Sequence, residues 1–106
     1  MTIQLFSYKM RLLDKAMKAV FCKPILNAKG TGKKIKRLMK RKCVAPRRVA
    51  AMLGFPYVQT MYNWFSGRNL PTLDNLVALA YILGVKVDDL LATDFVTIEY
   101  EEQGRV

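Results

Sequence analysis

Histidine is absent from this chain of 106 residues, and acidic side chains are scarce, 8 against 18 Lys and Arg. The first absence removes the commonest general base and metal ligand. Cysteine is nearly absent too: Cys22 and Cys43 stand far apart with no CxxC partner. That pattern indicates neither a zinc site nor a disulfide framework, and fits two reduced thiols in a cytoplasmic protein. No apolar run approaches the ~20 residues of a membrane span. The basic N-terminus is interrupted by Lys and Asp, which makes it a poor secretory signal. No set of residues assembles a nucleophile, a base and an oxyanion donor, so an enzyme is not expected, and no cofactor or metal is implied.

What is present is positive charge on a chain apolar enough to fold. The apolar fraction of 52% argues for a packed core and against disorder. The length suits one domain with extensions. A formal charge of +10 predicts attraction to a polyanion, either nucleic acid or an anionic membrane surface. The charge is unevenly spread. Residues 1–48 hold 15 Lys+Arg and the single acid Asp14, a net +14. Residues 49–106 hold three basic residues and seven acids, a net −4. Such asymmetry is itself a nucleic-acid or membrane signal.

Along the chain, "YKMRLLDKAMKAVFC" at 8–22 reads as an amphipathic helix with Met10, Leu13, Met17 and Val20 on one stripe, ended by Pro24. "NAKGTGKK" at 27–34 reads as a loop by its glycines. It lacks the glycine spacing and the Ser or Thr after Lys33 that a phosphate-binding Walker loop requires. A basic helix follows at 33–42 with Ile35, Leu38 and Met39 inward, then a helix at 46–53 opened by Pro46, with Val49, Ala50 and Leu53 inward. A third helix is expected from Val58 to Ser66, with Met61 and Trp64 inward and Gly67 as its stop. A fourth begins after Thr72, its inward set being Leu73, Leu76, Val77, Ala80 and Leu83. "VDDLL" at 87–91 gives a last helical turn, and the tail carrying Val96, Ile98 and Tyr100 is either a short strand or disordered.

The segment "YVQTMYNWFSGRNLP" at 57–71 is almost uncharged in a strongly basic protein. Its amides and hydroxyls suit reading a polar edge, or form an ordinary solvated face. The flanking pattern favours the first. "VAAMLGF" at 49–55, "QTMYNW…G…LP" from Gln59 to Pro71, "LDNLVALAYILGVKVDDLL" at 73–91, and Ile35 with Leu38 together resemble the lambda-repressor-like (Cro/cI) helix-turn-helix family.

The resemblance, over roughly 60% of the chain, implies an all-α, compact five-helix DNA-binding domain at 29–92. An amphipathic extension at 1–28 precedes it and a tail at 93–106 follows. Helix 58–66 would then enter the major groove. With Met61 and Trp64 inward, Val58, Gln59, Thr60, Tyr62 and Asn63 are the candidate base-reading residues. Gln and Asn can each bond adenine bidentately, and an apolar Val or Thr methyl can meet a thymine methyl. Arg47, Arg48, Arg68 and Asn69 are the candidate phosphate contacts, with the lysines of the first basic helix nearby.

Three departures from the family stand out, the first being a turn, "GFPYVQT", one residue longer than the common pattern. Pro46 replaces a phosphate-clamping Gln, and Met39 with Phe65 occupies positions where members often carry an ion pair. An apolar pair can replace a partly buried ion pair at no loss of stability.

The implied activity is that of a sequence-specific transcriptional regulator, bacterial or phage-like and cytoplasmic, with double-stranded DNA as partner. An antitoxin-like protein-interaction module with secondary DNA binding is the alternative. Reading two half-sites would call for a homodimer, through the stripe Met10–Leu13–Met17–Val20 or through the tail. The extension could otherwise pack on the domain, add phosphate contacts from Lys15 and Lys18, lie on a membrane surface, or have no role.

Overall fold

The computed structural model describes residues 19–101. They divide into a helical unit, Leu26–Thr93, and a separate two-stranded ribbon. In chain order the elements are β1 (Ala19–Leu26), α1 (Ala28–Arg41), α2 (Pro46–Met52), α3 (Gln59–Ser66), α4 (Leu73–Leu83), a 3-10 turn (Val87–Leu90) and β2 (Thr93–Tyr100).

The all-α, five-helix expectation is therefore corrected. The described residues hold four α-helices, one 3-10 turn and a two-stranded antiparallel sheet. Residues 19–22, expected at the end of the amphipathic helix, lie in β1, so Val20 does not continue a helical stripe. Met10, Leu13, Met17, Lys15 and Lys18 lie outside the described residues. The reason is chemical as well as topological. Val20 and Phe21 fit a pleated strand as well as a helix, and their pairing partner is more than 60 residues further along the chain. Pro24 does not end a helix but sits within β1, which a two-stranded ribbon tolerates because each strand keeps one unpaired edge. The tail forms β2, rich in Thr, Val, Ile and aromatic residues.

Within the helical unit the core is Ile35, Met39, Val49, Ala50, Met61, Trp64, Leu76, Leu79, Ala80, Leu83 and Leu90. Met39 is 2% exposed, and Phe65 packs against the same core. The expected loop at 27–34 is a second correction, because α1 already begins at Ala28. Asn27 caps it, its Oδ1 accepting from the Gly30 N–H at 2.8 Å. Gly32 is helical for a packing reason. A Cβ there would fall on the Trp64 carbonyl oxygen and 2.7 Å from that of Phe65, so only glycine lets α1 approach the end of α3. Buried Thr31 accepts from the Ala92 N–H at 3.0 Å, and Lys34 Nζ donates to the Leu91 carbonyl at 2.8 Å. These bonds fasten the end of the unit to its first helix.

Pro46 opens α2 in the first turn, as its missing N–H allows. Phe55, in the turn that follows, meets Trp64 edge to face at 5.6 Å and 77°. That contact fixes the crossing of α2 and α3. Thr72 caps α4 through an acceptor bond from the Asn75 N–H at 3.3 Å. The inward set of α4 is Leu76, Leu79, Ala80 and Leu83. Leu73 and Val77, expected inward, are 79% and 49% exposed and share an outward stripe with Tyr81. An apolar side chain does not declare which flank of a mostly apolar helix it occupies, and here the burying neighbours lie on the other side.

Candidate nucleic-acid interface

The eight residues of α3 extend about 12 Å. Their two faces are sharply different. Met61 and Trp64 are 0% and 3% exposed and anchor the helix in the core. At 100° per residue the opposite face is centred on Gln59 and Ser66, with Tyr62 on one side and Asn63 on the other. Gln59, Tyr62 and Ser66 are exposed and Asn63 is half-buried. This face carries amide, phenol and hydroxyl groups and no ionised side chain.

The two amides are not independent. Gln59 Nε2 donates to Asn63 Oδ1 at 3.1 Å, one turn along the helix. The bond restrains both side chains and leaves the Gln59 carbonyl oxygen and the Asn63 amide N–H groups free to bond a partner. A surface presenting one acceptor and one donor side by side has the pattern complementary to the adenine major-groove edge. Tyr62 stacks edge to face on Phe65 at 6.0 Å, which restrains the phenol beside the amides. Thr60 is half-buried on the flank of the helix rather than at the centre of the outward face.

Val58 is the N-cap of α3 and is half-buried; its side chain makes no capping bond. It shares a cleft of about 350 Å³ with Arg47, Phe55, Pro56 and Tyr57. The cleft joins the basic start of α2 to the first turn of α3. Arg47 and Arg48 are exposed there. At the other end, Gly67 takes the left-handed conformation (φ 82°), which an L side chain rarely adopts, and turns the chain back. The Arg68 and Asn69 N–H groups then donate to the Asn63 carbonyl at 2.9 and 3.3 Å. Arg68 and Asn69 are exposed and emerge beside the last turn of α3. Exposed cations or amides thus lie at both ends of a neutral outward face.

Two residues of this surface were missed in the sequence. The sequence marks Ser66 only as the helix end, yet it follows Gln59 by seven residues and Asn63 by three, the spacing of one helical face. Its Oγ donates to the Asn63 carbonyl at 3.2 Å. Tyr57 is 76% exposed immediately before α3, and no local pattern marks a turn tyrosine as outward. Among the described residues no group of three or more Cys, Asp or Glu is placed to hold a metal ion. No helix among them is long and apolar enough to cross a membrane.

With this geometry in hand, the fold can be placed. The chain matches no family model and no curated relative. Solved structures do match. The chain is similar to the DNA-binding domain of S. venezulae BldD, at 23% identity over 61% of this chain and 96% of that one, with a TM-score of 0.52. It is similar to the restriction-modification controller protein C.AhdI from Aeromonas hydrophila, at 19% identity, 59% and 94% coverage and a TM-score of 0.54. A candidate DNA-binding protein from Bacteroides fragilis is 30% identical over 56% of this chain and 94% of its own, with a TM-score of 0.53. The iron(II) form of HppE also matches, at 23% identity and a TM-score of 0.56, but this chain spans only 34% of it. The helical unit of this protein shares the fold of these solved DNA-binding domains, as its resemblance to the lambda-repressor-like helix-turn-helix family implied.

Proposed function

We propose that the chain is a sequence-specific DNA-binding regulator of transcription, working in the cytoplasm without catalysis by occupying its site. In this reading α3 lies in the major groove. Gln59, Tyr62, Asn63 and Ser66 face bases, with Val58 and Thr60 at the edges of the face, while Arg47, Arg48, Arg68 and Asn69 hold phosphates on either side. The observation that carries the proposal is the bonded Gln59–Asn63 pair at the centre of a neutral face, with Arg47 and Arg68 at its two ends. The likeness to DNA-binding domains over almost their whole length supports it. Selection of bound sequences from a random duplex library is the direct test. A recovered consensus of a few base pairs is expected, and recovery of no consensus would refute sequence reading.

Arg47 and Arg48 supply a quantitative check. Each phosphate contact removed by an Arg→Ala substitution is expected to lower the slope of log affinity against log salt by about 0.9. Specific and random duplexes should weaken alike. A slope unchanged in both variants would remove the start of α2 from the contact.

One short helix covers only a half-site, too little to discriminate against a genome of competitors. We therefore propose a homodimer on DNA, with half-sites separated by about one helical turn, ~34–36 Å. Sedimentation on a selected site is expected to give two chains per duplex. A one-to-one complex on a non-palindromic site would overturn the dimer.

A second reading, an antitoxin-like module whose main partner is another protein, draws on the outward apolar stripe Leu73, Val77 and Tyr81 of α4. A Leu73→Ser/Tyr81→Ser variant that keeps DNA binding but loses a co-purifying partner would favour it.

A further inference from the structure

The longest helix of the unit carries a feature that base reading leaves unexplained. In α1 every charged side chain is positive: Lys29, Lys33, Lys34, Lys36, Arg37, Lys40 and Arg41, with no acid in fourteen residues. Like charges three and four apart on a helix destabilise it, and Lys29 in the first turn opposes the helix dipole. Lys40 and Arg41 in the last turn suit the dipole and Asn27 caps the start, but no acid offsets the repulsion among the cations, which marks a surface suited to an anionic partner outside the helix.

The seven cations do not form one face. At 100° per residue, Lys29, Lys33, Lys36 and Lys40 fall within about 60° of arc, all of them exposed. Arg37 and Arg41 lie about 40° and 80° beyond Lys33, where with Lys34, Leu38, Val85 and Asp89 they line a separate cleft of about 390 Å³. There the Asp89 carboxylate supplies a negative charge, and Lys34 is bonded to the Leu91 carbonyl.

The lysine flank has a different neighbour. Gly32, adjoining it on the helix surface, packs on the carbonyls of Trp64 and Phe65, and the Lys29 backbone lies against Gly67. The stripe therefore starts where α3 ends and where Arg68 emerges. From Lys29 to Lys40 it extends about 16 Å, the axial length of roughly five nucleotides of one DNA strand.

We infer that Lys29, Lys33, Lys36 and Lys40 form a second phosphate-binding surface, which holds the DNA strand flanking the C-terminal end of α3. The inference rests on the proposal that α3 reads DNA, and extends it to a helix outside the helix-turn-helix pair. The partner is the sugar–phosphate backbone, because flexible ammonium groups act on phosphate as point charges and carry no base pattern. The stripe sets affinity and salt dependence, while discrimination stays with α3.

The test compares variants of equal charge loss, so that a change in net charge alone cannot imitate a contact. Binding to a selected duplex and to a random duplex is measured by fluorescence anisotropy across a salt series. Three proteins are compared with wild type: Lys29→Gln/Lys33→Gln, Lys36→Gln/Lys40→Gln and Arg37→Gln/Arg41→Gln. Each lysine pair is expected to lower the salt slope by about 1–2 on both duplexes, leaving their affinity ratio unchanged. The arginine pair, which lines the cleft beside the Asp89 carboxylate, is expected to leave the slope within about half a unit of wild type.

Restoring Lys36 and Lys40 as arginines should restore the slope. Unchanged slopes in both lysine variants, or an equal fall in the arginine variant, would overturn the surface. In that event, retained discrimination between the two duplexes keeps α3 as the reader. A wild-type chain with no salt-dependent affinity for either duplex would overturn both.

Discussion

Gly32→Ala is expected to destabilise the helical unit by a large share of its stability, or to prevent its folding. The added methyl would coincide with the Trp64 carbonyl oxygen and come within 2.7 Å of the Phe65 carbonyl oxygen. Both obstacles are backbone of α3, so no rotamer change relieves them, and α1 must separate from α3. Overpacking that forces side-chain and backbone shifts typically costs about 1–3 kcal/mol, occasionally more, and an overlap with a backbone carbonyl lies at the upper end of that range or above it. A small domain has only about 5–15 kcal/mol in total. In urea the transition midpoint should fall by a third or more, or no native baseline should remain.

Gly54→Ala is the internal comparison. It has no atom within 4 Å of an added Cβ, and only the left-handed φ of 79° opposes it. Its loss should be near 1 kcal/mol. Equal stability of Gly32→Ala and Gly54→Ala would show that α1 and α3 are not packed through Gly32.

Replacing Gln59 and Asn63 by alanine, singly and together, should give the largest loss of sequence discrimination available from this surface. Each amide that makes a bidentate base contact is worth about 1–3 kcal/mol, or about 5- to 150-fold in affinity for the preferred site. Binding to random duplex should barely change, because phosphate contacts carry it. The 3.1 Å bond between the two side chains adds a further expectation. Removing either amide frees the other to leave its reading rotamer, so the double variant should lose less than the sum of the single losses. Equal losses on specific and random duplexes would refute base reading, and strict additivity would refute the coupling.

The limits of the sequence are clearest at α1 and at the outward face of α3. "NAKGTG" carries two glycines and reads as a loop, since glycine weakens an isolated helix. Gly32 sits in a helix because the Trp64 and Phe65 carbonyls, more than 30 residues away in sequence, leave no room for a side chain. In α3 the inward pair was legible, because Met61 and Trp64 stand three residues apart between polar neighbours. That pair fixes the opposite face, and so Gln59, Tyr62 and Asn63 could be picked out as candidates. Their rank on that face could not. Ser66 joins the centre and Thr60 shifts to the flank because the helix is buried deepest between Met61 and Trp64.

The sequence by itself determined the helices α2, α3 and α4, the Pro46 start, the Thr72 cap, the turns at Gly54, Gly67 and Gly84, and the concentration of positive charge before residue 49. All of these follow from interactions within a few residues, or from counting. The tertiary structure alone decided that residues 19–26 are a strand, that the tail pairs with it, and that α1 starts at Ala28. It alone turned Leu73 and Val77 outward and divided the cations of α1 between two flanks. Each of these depends on a neighbour distant in sequence, and a residue pattern encodes its own preferred conformations but not which remote surface will cover it.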